Sequence, residues 1–260
     1  MNQWLKMSID YANQRNYLDD LFLVYPTIPE GIRVIDEHLL KRVKVAFDKK
    51  DNARLIEALL ELDLFPIKDS YVAYLKRDPS SIGRNPATVS RLSGRLYEMG
   101  LEKIIERASE PKETNRQMGQ RFRNWLKKKA LGVQPVKLKE FLSTKENAVL
   151  DAGDAELMEF AHKHLNYTHK KGLDLVARFN GKYVIGEAKF LTDFGGHQNA
   201  QFNDAIATLH ARDVKAIKVA ILDGVLYIKG GNGMHRSITT DLKNENIMSG
   251  LVLREFLYQI

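Results

Sequence analysis

Asp174, Glu187 and Lys189 are the residues of this chain whose types and spacing could do chemistry together. They flank Asn180-Gly181, which sits between two apolar, β-branched and aromatic runs within Gly172–Lys189. Asn-Gly predicts a two-residue type I′ hairpin, because both central residues of that turn need φ > 0. If Phe179 pairs with Lys182, opposed residues along an unbroken ladder have numbers adding to 361, and Asp174 faces Glu187. Like charges directly opposed across two strands destabilise the pair, so this arrangement calls for a cation. A hard divalent ion such as Mg²⁺, which takes oxygen ligands from one or two carboxylates, meets that need. The two-residue period of a strand sets Lys189 on the same face as Glu187, opposite Gly172.

Asp174, twelve intervening residues, then Glu187-Ala188-Lys189 resembles the PD-(D/E)-x-K nuclease motif. Leu173 stands where the motif has proline. Among such nucleases the chain is most similar to type II restriction endonucleases. The resemblance implies Mg²⁺-dependent phosphodiester hydrolysis leaving 5′-phosphate and 3′-hydroxyl ends. Asp174 and Glu187 would hold the metal, and Lys189 would orient or deprotonate the attacking water. Enzymes of this kind often add an acid from the preceding helix, and Glu156 fits that description. A dipole-stabilising acid near a helix N-terminus would read the same way. The resemblance also implies double-stranded DNA as substrate and a homodimer matched to a palindromic site. Two other readings fit the residues: a repair or junction-resolving nuclease, and a non-catalytic, sequence-specific DNA-binding protein.

The elements needed to present these residues are legible along the chain. After the hairpin, Gly195-Gly196 leads into a helix, and Ala216–Leu222 is a buried type of strand. Val225–Ile228 reads as a further strand. Gly153 onward is an amphipathic helix with Asp154 as N-cap and Leu157, Phe160, Ala161, His164 and Leu165 on its buried stripe. The fold class expected is α/β, a mixed central sheet flanked by helices with a restriction-endonuclease-like core, behind a mainly helical N-terminal region. The soft boundary falls near Gly132, giving a helical, basic DNA-binding region over 1–131 and a catalytic core over 132–260.

The N-terminal region alternates helices and turns. Helices are expected before Pro26, over Ile35–Lys49 and Ala53–Leu62, and from Asn85-Pro86 to Gly100. The last is similar to the recognition helix of helix-turn-helix proteins, with Arg91 and Arg95 on one face. Thr114 and Gln117 make a possible capping box for a basic helix through Met118, Phe122 and Trp125.

The chain has 260 residues, of which 44% are hydrophobic, enough for a sizeable core, and a net charge of +7. Between Arg84 and Lys129 there are 12 Lys/Arg against 5 Asp/Glu, so one segment carries the whole excess. Such a stripe is the footprint of a polyanion partner, or else a solvated basic face. Arg84, Arg91, Arg95, Arg116, Arg121 and Arg123 are the candidates for phosphate or guanine contact. In the helix after the hairpin, Gln198, Asn199, Gln201 and Asn203 could contact adenine, and His197 a phosphate.

Several classes are set aside by composition. There is no cysteine, which excludes disulfides, thiolate zinc sites and cysteine nucleophiles. No signal peptide or membrane-length apolar run is present, so a soluble cytoplasmic protein is expected, without a membrane partner. Gly230-Gly-Asn-Gly233 lacks the Lys-Ser/Thr of a P-loop, so no nucleotide cofactor is expected.

Overall fold

Asn180 and Gly181 take φ values of 50° and 76°, and the hairpin they close organises the sheet. The structure is a computed structural model that describes residues 1–27, 33–111, 118–169 and 172–260. The chain divides into two units, Met1–Thr27 with Thr114–Ile260, and Ile28–Glu113.

The first unit holds a six-stranded sheet whose strands lie side by side in chain order. They are β1 (Pro135–Val136), β2 (Ala148–Leu150), β3 (Leu175–Phe179), β4 (Lys182–Leu191), β5 (Ile217–Gly224) and β6 (Ile247–Met248). β2–β3 and β3–β4 pair antiparallel, and the remaining neighbours pair parallel. This is the mixed sheet expected. The 14-residue helix α12 (Gly196–Leu209) carries the chain from β4 to its parallel neighbour β5.

Alternation along β3 sorts its side chains to two cores. Leu175, Ala177 and Phe179 join one cluster with residues of α1 (Gln3–Ala12), α2 (Tyr17–Val24), α9 (Met118–Lys127), α12, α13 (Gly233–Thr239) and α14 (Gly250–Gln259). Val176 joins the other, with residues of α10 (Leu138–Ser143) and α11 (Asp154–Leu165). Arg178 is buried on that second side and donates to the carbonyls of Phe141 and Glu146 and to the Thr144 hydroxyl. It fixes the connection between α10 and β2.

The second unit is helical: α3 (Glu37–Asp48), α4 (Asn52–Leu60), α5 (Ser70–Arg77), α6 (Ser81–Arg84), α7 (Pro86–Met99) and α8 (Leu101–Ala108) enclose their own cluster around Leu55, Ile56, Leu59, Leu92 and Leu96. Asp36, Asp51 and Asp69 cap three of these helices by accepting backbone N–H groups. The expected capping box at Thr114 and Gln117 lies outside the described residues.

Three expectations are corrected. The boundary near residue 131 is replaced by a discontinuous unit, because Trp4, Leu5, Tyr17, Leu21, Phe122 and Leu126 bury their side chains in the core of the sheet unit. Val225–Tyr227 is a 3-10 turn rather than a strand, since Gly224 at φ 99° turns the chain out of β5 while Leu226 and Tyr227 stay buried. A short apolar run has the same pattern in either conformation. Asp154 is the first residue of α11, and Gly153 is its N-cap.

Candidate active site

The β3–β4 ladder follows the predicted register from Phe179↔Lys182 to Leu175↔Gly186. At Asp174 it stops: the Asp174 N–H donates to the carbonyl of Gly186, the residue already paired with Leu175. The regular pairing thus ends one residue short of Asp174, and the chain bends there. Asp174 therefore leaves the position directly opposite Glu187. Its Oδ2 accepts the backbone N–H of Ala188 at 3.0 Å, which holds the carboxylate against the Glu187-Ala188-Lys189 strand.

The rest of the site comes from the sheet and the helices beside it. Lys189 Nζ lies 2.6 Å from Glu187 Oε1, as the shared strand face requires, and Thr208 of α12 donates to Glu187 Oε2 at 3.1 Å. Asp174 and Glu187 are both buried, at 7% and 6% exposure, and Thr208 is fully so. Burial pushes the Asp174 carboxyl above its ordinary range, against the opposing effects of Lys189, the Ala188 N–H and Arg123.

α9 brings a second cation. Phe122 and Leu126 anchor this helix in the core, and burying side chains of this size stabilises by roughly 1.5–3 kcal/mol each. Its backbone passes close over the site at Gly119, where a Cβ would stand 3.0 Å from Asp174 Oδ1. One turn later Arg123 Nη1 donates to Asp174 Oδ1 at 3.0 Å and also to Asp154 Oδ1. The acid that shares a partner with Asp174 is therefore Asp154. Glu156 caps the start of the same helix, its Oε2 accepting the Gly153 N–H at 3.0 Å. In the sequence the signal for Asp154 is an acid in the first turn of this helix, two residues before Glu156, where it also reads as a cap.

The donor set is one of carboxylate oxygens, which suits a hard cation better than zinc. Among the described residues no group of three or more His, Asp or Glu side chains is gathered as a metal cage. A pair of carboxylates with the remaining positions left to water and substrate phosphate is how Mg²⁺ is commonly held, so the residues fit such an ion.

The residues expected at DNA divide. Arg121 and Gln198 are buried, at 8% each. Gln198 Oε1 accepts the Thr192 N–H and fixes the exit of β4, so its amide serves the fold. Arg123 faces the acids described above. His197, Asn199 and Asn203 are exposed on α12, with Gln201 half-buried and bonded to His197. Asn199 also donates to the Phe194 carbonyl. Arg116 lies outside the described residues. In the helical unit Arg84 pairs with Asp78, while Arg91 and Arg95 both reach Asp69, and all three guanidinium groups remain open to solvent. Arg91 also lies over the exposed ring of Tyr71 on α5, at 5.4 Å.

A further basic feature lies outside residues 84–129. α3 and α4 border a groove of about 520 Å³ lined by Lys41, Arg42, Lys49 and Arg54 beside Asp51 and Glu57. Elsewhere, no helix among the described residues is long and apolar enough to cross a membrane.

No curated protein and no solved structure matches the chain. A family model described as Tsp45I type II restriction enzyme matches residues 2–260. Nearly the whole sequence is covered, both the helical unit and the sheet with its buried acid pair, and the chain belongs to the Tsp45I type II restriction enzyme family.

Proposed function

We propose that this restriction endonuclease is a Mg²⁺-dependent, site-specific nuclease of double-stranded DNA, working from Asp174, Glu187 and Lys189. The observation that carries the reading is the bond from the Ala188 N–H to Asp174, which joins the lone aspartate to the Glu-x-Lys strand. Bound Mg²⁺ would polarise the scissile phosphate and stabilise the leaving oxyanion. Asp174 and Glu187 would supply its protein oxygens, Asp174 held by the Ala188 N–H and Glu187 by the Thr208 hydroxyl. Lys189, 2.6 Å from Glu187, would orient the attacking water and set its ammonium against the negative charge that builds on the phosphate; acting as the base that deprotonates the water requires its neutral amine. The products are a 5′-phosphate and a 3′-hydroxyl.

Contact with DNA is assigned to the exposed cations Arg84, Arg91 and Arg95 of the helical unit and to His197, Asn199, Gln201 and Asn203 of α12. Exposed guanidinium groups beside an open tyrosine support the first set. Assembly as a homodimer follows from the need to cut two strands at one site, and the place of action is the cytoplasm. Family membership supports this over a junction-resolving enzyme or a non-catalytic binder.

The test is incubation of the purified protein with mixed-sequence plasmids in Mg²⁺ and in EDTA, with end-labelling of the products. Discrete fragments that require Mg²⁺ and carry 5′-phosphates are expected. Nicking of branched DNA alone, or retardation without cleavage of any of several plasmids, would reject the proposal.

A further inference from the structure

Two cations from the chain itself meet the buried acids, and they arrive by different routes. Lys189 comes with the strand that carries Glu187. Arg123 comes from α9, and its Nη1 sits between carboxylate oxygens of Asp154 and Asp174, two residues on separate elements. Its Nη2 donates to Gln120 Oε1 at 3.1 Å. One nitrogen between two acidic oxygens has the position and charge of a bound cation.

We infer that Arg123 is the resting counter-cation of the site, exchanged at Asp174 for the divalent metal when that ion binds. The inference rests on the proposed function, because it takes Asp174 as a metal ligand. An ionised carboxylate at this depth is stabilised by cations close to it, and Arg123 is the one that bonds Asp174 directly. A guanidinium cannot relieve crowding by losing its proton. A divalent ion approaching the same oxygen is therefore repelled until Arg123 moves. The side chain has somewhere to go: Asp154 is more than half exposed, at 57%, and Gln120 lies on the solvent side of α9, so Arg123 can leave Asp174 and keep an outer partner.

The test measures Mg²⁺ binding to the full chain without DNA, by calorimetry and by melting temperature, for wild type, Arg123→Gln, Arg123→Lys and Asp174→Ala. Removing the competing charge should tighten Mg²⁺ binding in Arg123→Gln by at least roughly tenfold, the order expected of one nearby unit charge even when water screens it. The same variant should melt lower than wild type in EDTA and gain more from Mg²⁺. Arg123→Lys keeps the charge and should bind within about twofold of wild type. Should Arg123→Gln fail to fold, the Arg123 side-chain resonance of ¹⁵N-arginine-labelled wild type, assigned by its loss in Arg123→Lys, should shift on adding Mg²⁺ and stay fixed in Asp174→Ala. Unchanged or weaker Mg²⁺ binding by Arg123→Gln, or an unmoved resonance, while Asp174→Ala abolishes binding, overturns the exchange and leaves the nuclease reading intact. Mg²⁺ binding that survives Asp174→Ala overturns the site assignment itself.

Discussion

The carboxylate of Asp174 accepts the backbone N–H of Ala188 at 3.0 Å, just beyond the end of the ladder at Leu175. That bond ties the position of the acid to the strand between Glu187 and Lys189. It also separates structure from chemistry at this residue. Asp174→Asn retains an oxygen to accept the Ala188 N–H but removes the charge. Cleavage should fall by about 10²–10³-fold or more, the scale on which a single electrostatic group acts at a reacting phosphate. Far-UV circular dichroism and the melting curve should remain those of a folded protein. A variant that still cuts at a tenth of the wild-type rate would remove Asp174 from the site.

Gly119 offers a subtler probe. In an ordinary exposed helix, Gly→Ala stabilises by roughly 0.5–1 kcal/mol. Here the added Cβ would crowd Asp174 Oδ1 at 3.0 Å. Gly119→Ala should leave the melting temperature within a few degrees, because propensity and crowding oppose each other, while slowing cleavage about tenfold or more. Parallel melting and plasmid-cleavage assays check it; equal rates would mean the acid gives way without cost.

Arg91 tests the helical unit. It is 44% exposed and oriented by Asp69. If it contacts a phosphate, Arg91→Ala should weaken DNA binding uniformly across sequences and reduce the slope of log K against log salt by about 1. Fluorescence anisotropy at several salt concentrations reads both effects. An unchanged slope with relaxed sequence preference would make it a base reader instead.

Asp223 supplies a pH prediction away from the active site. It is fully buried at the end of β5 and accepts from Tyr17, Tyr25, Ser249 and the Gly250 N–H, joining α2, β5 and α14. Burial raises its pKa to about 6 from 3.8, against those hydrogen bonds. Between these values the unfolded chain has released the proton and the folded one retains it, so stability falls as pH rises through this window. The loss totals about 3 kcal/mol and is complete above pH 6. Asp223→Asn cannot ionise, and its amide can face the rotatable Tyr17 and Ser249 hydroxyls. Its stability relative to wild type should therefore climb from pH 4 to pH 7, as urea unfolding at each pH would show. A constant difference would mean that Asp223 ionises in the fold as it does in water.

Local physics made much of this protein readable in advance. Asn180-Gly181 fixed the hairpin because few dipeptides accept two positive φ angles, and the ladder then set the pairing down to Leu175 opposite Gly186. Side-chain alternation along β4 put Lys189 beside Glu187 for the same reason. The helices over α3, α4, α7 and α11 were legible from caps and apolar spacing. What the sequence could not determine depends on contacts between residues far apart in the chain. The bend at Asp174 lies where the ladder ends, and no residue type marks it. Arg123 reaches Asp174 across 51 positions because α9 docks on the sheet through Phe122 and Leu126, turning a residue that reads as a phosphate contact into the counter-ion of a buried acid. The same docking, with that of α1 and α2, joins the N-terminal residues to the sheet around an inserted helical unit. Linear order carries no trace of that arrangement, since burial of apolar faces decides it only once the whole chain has folded.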